Sequence, residues 1–395
     1  MLEWLGIDWD GEPVHQSDRI EEHRAAAQQL LTAGHAYYCD CTAEQVQARA
    51  KERGGPPGYD AFCRDRGLTS GALRFRAPDD GVTSWDDVIR GKVTFENSTI
   101  EDFVLLRTNG SPTFLLPNVV DDIAMGITHV IRGEDHVNGT PKYLLLRAAL
   151  GNTDAPVFAH LPLLVNEQRK KLSKRRDEVS VASYREQGFL PEAMRNYLAL
   201  LGWGPPDGVE VRPIDEIVER FVLDDVNASP AFFDRKKLTF VNAEWIRTLD
   251  VDDFVARAVP FVEDDEDVRA ALHALAPLAQ ERVKVLNELP ELFDWVHGVA
   301  NDERSWDKAM KLEAAPAILD GIVTAYESVP WDQTSLHAEF MALAGALEIN
   351  PSKVQGPIRV AVTGRIAGLP LFELLAWLGR DETVRRLTAG RARLG

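Results

Sequence analysis

Residues 118–165 read NVVDDIAMGITHVIRGEDHVNGTPKYLLLRAALGNTDAPVFAHLPLLV, and the order of elements in this stretch decides the fold. A helix-like segment over 118–125 gives way after Gly126 to a strand-like run over 127–131. A second helix is predicted over 141–150, with Pro141 in the first turn, where a missing N–H does no harm. The apolar run 157–165 follows, and 103–106 upstream is another strand-like run. Strands alternating with helices predict an α/β sheet.

Working upstream, residues 36–104 have a different character. Short β-like pieces at 73–76 and 93–95 sit among Gly and Pro turns at 54–58, and all three cysteines lie here. Before them, Asp18 with Glu21 predicts a capping box for a helix whose stripe is Ile20, Ala27, Leu30 and Leu31 and which stops at Gly34. Leu2, Trp4, Leu5, Ile7 and Trp9 form an apolar cluster with no capping signal ahead of it, so the chain is expected to enter partway through an element. Downstream of Phe189 the pattern is helical almost throughout, beginning with a segment that aligns Ala193, Met194, Tyr197, Leu198 and Leu201. The change to all-α structure falls between 190 and 245. The acidic run 263–267 is expected to be a solvated loop.

Composition narrows the function classes. The 395 residues carry 44 Lys plus Arg against 62 Asp plus Glu, a net charge of −18. That balance argues against whole-surface binding of nucleic acid but leaves room for a local basic patch. No run of eighteen apolar residues is present to span a membrane, and no basic-then-apolar leader opens the chain, so cytoplasm is the expected compartment. Three cysteines cannot build a disulfide framework and point instead to metal, chemistry or packing.

The basic patch is 169–176, where six of eight residues are Lys or Arg. Such a run can be a solvated loop or a nucleic-acid tail. It also follows the apolar run 157–165 and precedes a helix-like segment, and lysines on a turn placed there can neutralise a polyphosphate and the charge that develops as pyrophosphate leaves.

Lys171-Leu172-Ser173-Lys174-Arg175 resembles the second signature of class I aminoacyl-tRNA synthetases, in the form typical of glutamyl-tRNA synthetases. The flanks are similar in the same order: 118–122, 125–135, Thr140-Pro141, 160–163, 188–193, 196–203, Phe233-Asp234 and 359–365. The resemblance runs from about Trp4 to Gly395. It implies a class I synthetase Rossmann-like sheet lacking its first strands, a mixed α/β insertion and an all-α anticodon-binding half. The implied segments are 1–35 and 105–189 for the catalytic domain, 36–104 for the acceptor-stem insertion, 190–244 for a connecting region and 245–395 for the anticodon-binding domain.

The resemblance also implies roles. Lys171, Ser173, Lys174 and Arg175 would be catalytic, with Lys174, Lys171 and His160 at ATP. Arg132, Asn118 and Phe114 would line the glutamate pocket, where a guanidinium fork suits a carboxylate. Arg132 could instead pair with Glu134 or Asp135. Phe114 departs from the tyrosine common in the family and removes a hydroxyl. Cys39, Cys41, Tyr59 and Cys63 resemble a zinc knuckle, with tyrosine a rare fourth ligand and His35 an alternative. Free cysteines in a β module would be the plainer explanation. The implied partners are ATP with Mg2+, glutamate, tRNA(Glu) and a structural Zn2+, in a cytoplasmic monomer that touches no membrane.

One part of the pattern is missing from these residues. The family's first signature, His-x-Gly-His, has only Thr32-Ala33-Gly34-His35 as a near match, and Gly34 is better explained as a helix stop. The chain is therefore expected to begin after that signature. Glutamate–tRNA ligase activity is the expectation, made doubtful for this chain by the missing signature, with a non-catalytic tRNA-binding remnant as the alternative.

Overall fold

A computed structural model describes residues 1–54, 58–172 and 180–395. Its strands are β1 (Ala36–Cys39), β2 (Ala72–Phe75), β3 (Val82–Asp87), β4 (Gly91–Glu96), β5 (Val104–Leu106), β6 (His129–Gly133), β7 (Val157–Leu161), β8 (Leu164–Val165) and β9 (Ala231–Phe232). The first helices are α1 (Ile20–Thr32), α2 (Ala43–Arg53), α3 (Leu115–Ala124) and α4 (Thr140–Ala149). From Val181–Glu186 onward the chain is mostly helical, ending with Arg380–Arg393.

The central sheet has the order β4-β3-β7-β6. β6 and β7 run parallel, His129 opposite Val157 through Gly133 opposite Leu161, and α4 makes the crossover between them. β3 also runs parallel to β7, with Asp87 opposite Phe158, while β4 closes an antiparallel hairpin on β3. A hairpin from within 36–104 thus belongs to the same sheet as β6 and β7. β1, β2 and β5 form a separate antiparallel sheet.

Burial follows the spacing of apolar residues. Leu30, Phe75, Leu105, Leu116, Tyr143, Leu146 and Phe158 share one core between the sheets and α1, α3 and α4. Phe158 meets Tyr143 edge to face at 5.5 Å, and each buried ring contributes roughly 2 kcal/mol. A larger core fills the helical half around Phe254, Leu272, Phe293, Ile322, Tyr326, Ile358 and Leu387. Between them, Leu5 packs with Tyr184, Phe189, Met194, Tyr197 and Leu238, so the N-terminal segment docks on the connecting helices. Among the described residues no helix is long and apolar enough to cross a membrane.

Two local expectations change. α1 begins at Ile20 behind Arg19, with no side-chain cap. Glu21 is drawn to Arg24 at 2.7 Å and Arg19 to Asp121 at 2.8 Å, so no capping box forms at Asp18. The acidic run 263–267 is only partly loop: Asp265 caps the helix Glu266–Gln280 by accepting the amides of Asp267 and Val268, and the two acidic residues after it complement the helix dipole. The stop at Gly34 holds. α1 ends at Thr32, and Gly34 follows with φ +79°.

Candidate active site

The carboxyl ends of adjacent parallel strands are where an α/β sheet places ligands. Here the ends of β6 and β7 carry Arg132 and His160, directly opposite each other in register. An open pocket of about 340 Å³ beside β6 is lined by Phe114, Asn118, Asp122, His129, Arg132 and His136 among others. The structure therefore brings together the three residues expected at the glutamate pocket. Phe114 is exposed at the start of α3, 6.1 Å from the ring of His136. Asn118 lies one turn further along the same helix, and its Oδ1 is buried without a hydrogen-bond partner.

Arg132 pairs with neither of its acidic neighbours. Glu134 is held by Arg90 and accepts the amide of Leu163 at 3.0 Å, and Asp135 accepts from Lys171 at 2.9 Å. Instead Nε of Arg132 donates to Nε2 of His160 at 3.2 Å, and Nη2 donates to Oγ1 of Thr140 at 2.8 Å. Burial pushes the Arg132 guanidinium below its ordinary value. Beside it, burial pushes the Asp122 carboxyl up, although Tyr143 donates to its Oδ2 at 3.0 Å. A partly dehydrated guanidinium next to an unpaired amide oxygen can hold a ligand bearing both a carboxylate and an ammonium group.

His160, expected at ATP, lies at the carboxyl end of β7. Its side chain is wholly enclosed, with Nδ1 on Asp87 and Nε2 facing Arg132 and Thr140, so both ring nitrogens are occupied by protein groups rather than open to a nucleotide. Burial pushes its imidazole down, outweighing the pull of Asp87. The sequence gives no sign of Asp87 and Arg90, and it marks Thr140 only through the resemblance at Thr140-Pro141, with no role at the pocket. Nothing local joins Asp87 to His160, since they stand 73 positions apart.

Of the basic run, Lys171 is exposed and touches Asp135, whereas Ser173, Lys174 and Arg175 lie outside the described residues. Four arginines of the helical half have partners within the protein. Arg359 is buried and donates to the Leu369 carbonyl at 2.6 Å, and Arg386 is buried with Nη1 on the carbonyls of Trp295 and Val362. Arg365 is held by Glu291 and Asp294, and Arg385 by Glu382.

The three thiols of 36–104 converge. The sulfurs of Cys39, Cys41 and Cys63 all lie within 4.8 Å of one another. Sulfurs about 3.8 Å apart are what tetrahedral zinc with bonds of about 2.3 Å requires. Arg49 and Arg66 each place a guanidinium nitrogen 3.3 Å from a sulfur, of Cys41 and Cys63 respectively, which would offset thiolate charge. Burial pushes the Cys39 thiol up, but hydrogen bonds with Tyr59 and Arg74 outweigh it and bring it down to about 7. Tyr59 stands at the cluster, its hydroxyl accepting the Cys63 amide at 2.8 Å, and burial pushes its phenol well up. Among the described residues no histidine joins them, His35 included. The donor set fits zinc through three thiolates, and a phenol ligand would need the metal to draw off its proton.

Comparison with known proteins covers the whole chain. Residues 1–240 match the family model for the catalytic domain of class I tRNA synthetases (E and Q), and 253–391 match that of an anticodon binding domain. The glutamate–tRNA ligase of Frankia casuarinae is 50% identical over 410 residues, covering 100% of this chain and 86% of that protein. The glutamate–tRNA ligase of Salinispora arenicola is 50% identical over 414 residues, covering 100% and 87%. Among solved structures, a glutamate tRNA ligase from Elizabethkingia meningosepticum in complex with its amino acid superposes with a TM-score of 0.84 at 28% identity, covering 100% of this chain and 88% of that one.

Proposed function

The chain belongs to the glutamate–tRNA ligases, a family of class I aminoacyl-tRNA synthetases, and from that membership we propose the roles of its residues. Arg132 binds a carboxylate of glutamate, Oδ1 of Asn118 accepts from its ammonium group, and Phe114 forms an apolar side of the pocket. The basic loop, with Lys171, Ser173, Lys174 and Arg175, holds the phosphates of ATP, which enters with Mg2+. An oxygen of glutamate attacks the α-phosphorus, the bond to the β-phosphate breaks, and lysine charge stabilises the departing pyrophosphate. The glutamyl-adenylate then passes its acyl group to the terminal ribose hydroxyl of tRNA(Glu), and AMP leaves. Segment 36–104 meets the acceptor stem and 245–395 the anticodon. Zinc on Cys39, Cys41 and Cys63, with Tyr59 beside them, would supply a crosslink within the insertion. The cytoplasm is the place of action.

The observation that carries this reading is 50% identity along the entire chain combined with a pocket that gathers Arg132, Asn118 and Phe114. For these 395 residues taken by themselves a second reading is tRNA binding with little catalysis, since no His-x-Gly-His occurs in them. Adenylate held by the lysine loop without a partner signature lacks the positioning that makes such transfer fast. The test is ATP–pyrophosphate exchange with glutamate and tRNA(Glu), alongside tRNA binding. We expect weak exchange with tRNA binding retained. Robust exchange would show that these residues suffice for activation, and absence of both would end the reading.

A further inference from the structure

Neither Asp87 nor His160 has any exposed side-chain surface. A buried carboxylate is costly unless its lone pairs are used. Oδ1 of Asp87 accepts three backbone amides, from His160 at 3.1 Å, Ile89 at 3.2 Å and Arg90 at 3.1 Å. Oδ2 faces Nδ1 of His160, with the indole Nε1 of Trp85 at 3.4 Å. A carboxylate can only accept, so Nδ1 of His160 carries the proton. Nε2 is then a lone pair, and it faces Nε of Arg132, which can only donate, and the Thr140 hydroxyl, each at 3.2 Å. Thr140 completes the cradle. Its hydroxyl donates to the His136 carbonyl at 3.2 Å and accepts Nη2 of Arg132 at 2.8 Å. Nη1 is left as the part of the fork with no protein hydrogen bond among the described residues.

We propose that Asp87 and His160 are a positioning pair for Arg132: Asp87 selects the histidine tautomer whose Nε2 accepts, and that acceptor fixes the guanidinium fork at the pocket. Burial holds the His160 imidazole below its ordinary value, which keeps the ring neutral as the arrangement requires. The pair has a second consequence. Asp87 ends β3, so the hairpin contributed by 36–104 reaches the amino-acid pocket through one hydrogen-bonded line. The inference rests on Arg132 as a ligand of glutamate.

Asp87→Asn separates the possibilities. Its side-chain oxygen must stay where three amides point, so the new amide nitrogen takes the other position and donates to Nδ1 of His160. The ring proton is driven to Nε2, against the N–H of Arg132, as in other carboxylate–histidine pairs where amide replacement inverts the tautomer. NMR of the full chain carrying 15N-histidine reads the tautomer, with His160→Gln identifying the signal by its loss. We expect Nδ1–H in the wild type and Nε2–H in Asp87→Asn, with calorimetric affinity for L-glutamate weakened about tenfold or more.

A wild-type His160 protonated on Nε2 overturns the proposal without recourse to any variant that could misfold. Unchanged glutamate affinity in a folded variant whose tautomer has switched overturns it as well. If the wild type shows the expected tautomer yet binds no glutamate, the tautomer relay stands and the role of Arg132 as a glutamate ligand fails.

Discussion

The sulfur atoms of Cys41 and Cys63 lie 3.4 Å apart although 22 positions separate them in the chain, and Cys39 completes the group. That closeness suits three thiolates on one ion. The protein purified without chelators is expected to contain about one zinc per chain by elemental analysis. Cys63→Ser should abolish it and lower the melting temperature, because the insertion loses a crosslink between β1 and the segment before β2. Zinc-free protein with an unchanged melting temperature would mean that the thiols only pack.

Binding of tRNA should depend on salt through a small set of exposed cations. Arg169 and Lys170 are exposed, and so is Arg385, though paired with Glu382, whereas Arg359 and Arg386 are buried and Arg365 is held by Glu291 and Asp294. Arg169→Ala and Lys170→Ala should therefore each weaken binding and lower the slope of log K against log salt by about one. Arg386→Ala should instead destabilise the helical half. A filter-binding series from low to moderate salt checks this, and equal slopes in all variants would refute it.

Much of this was legible in the sequence because it was local. Helical spacing and apolar runs located α3, α4, β6 and β7 to within a few residues, and Lys171–Arg175 with its flanks, the stretch around Arg132 among them, pointed to the family. What escaped reading depends on pairing across distance. The parallel register that sets Asp87 opposite Phe158, and so beneath His160, belongs to the sheet and leaves no trace in either segment. The surroundings of the C-terminal arginines are likewise set by distant parts of the chain. Charge predicts exposure, yet Arg386 satisfies its guanidinium with carbonyls from distant parts of the fold.

Asn118 offers a test in which stability and binding move in opposite directions. Its Oδ1 is buried without a partner, and it sits inside a helix, where alanine is the better former. Asn118→Ala should raise stability by about 0.5–2 kcal/mol, since an unmet acceptor is removed. The same change should weaken glutamate binding roughly tenfold if the oxygen accepts from the ligand's ammonium group. Thermal melts and glutamate titration on one preparation read both effects. Loss of stability, or unaltered glutamate affinity, would show that the oxygen is not held in reserve for a ligand.

Glu382 and Arg386 set a pH limit on the helical half. Hydrogen bonds from Arg385 and Arg386 hold the Glu382 carboxyl at about 2, well below its ordinary value, despite some burial. A carboxyl depressed in the folded state stabilises the protein above its unfolded pKa, and that contribution fades as pH falls. The loss should therefore begin near pH 4.5, by the unfolded value of roughly 4.3, and continue to about pH 2. In that window the wild type should lose more stability than Glu382→Gln, so their melting temperatures converge on acidification. At neutral pH the variant should be weaker by about 1–2 kcal/mol. Removing one partner of a buried guanidinium is costly, but Glu382 is one-third exposed, Arg385 is at the surface, and solvent screens part of the effect. Parallel melting curves across the range would mean that the carbonyls of Trp295, Val296 and Val362 hold Arg386 without help from Glu382.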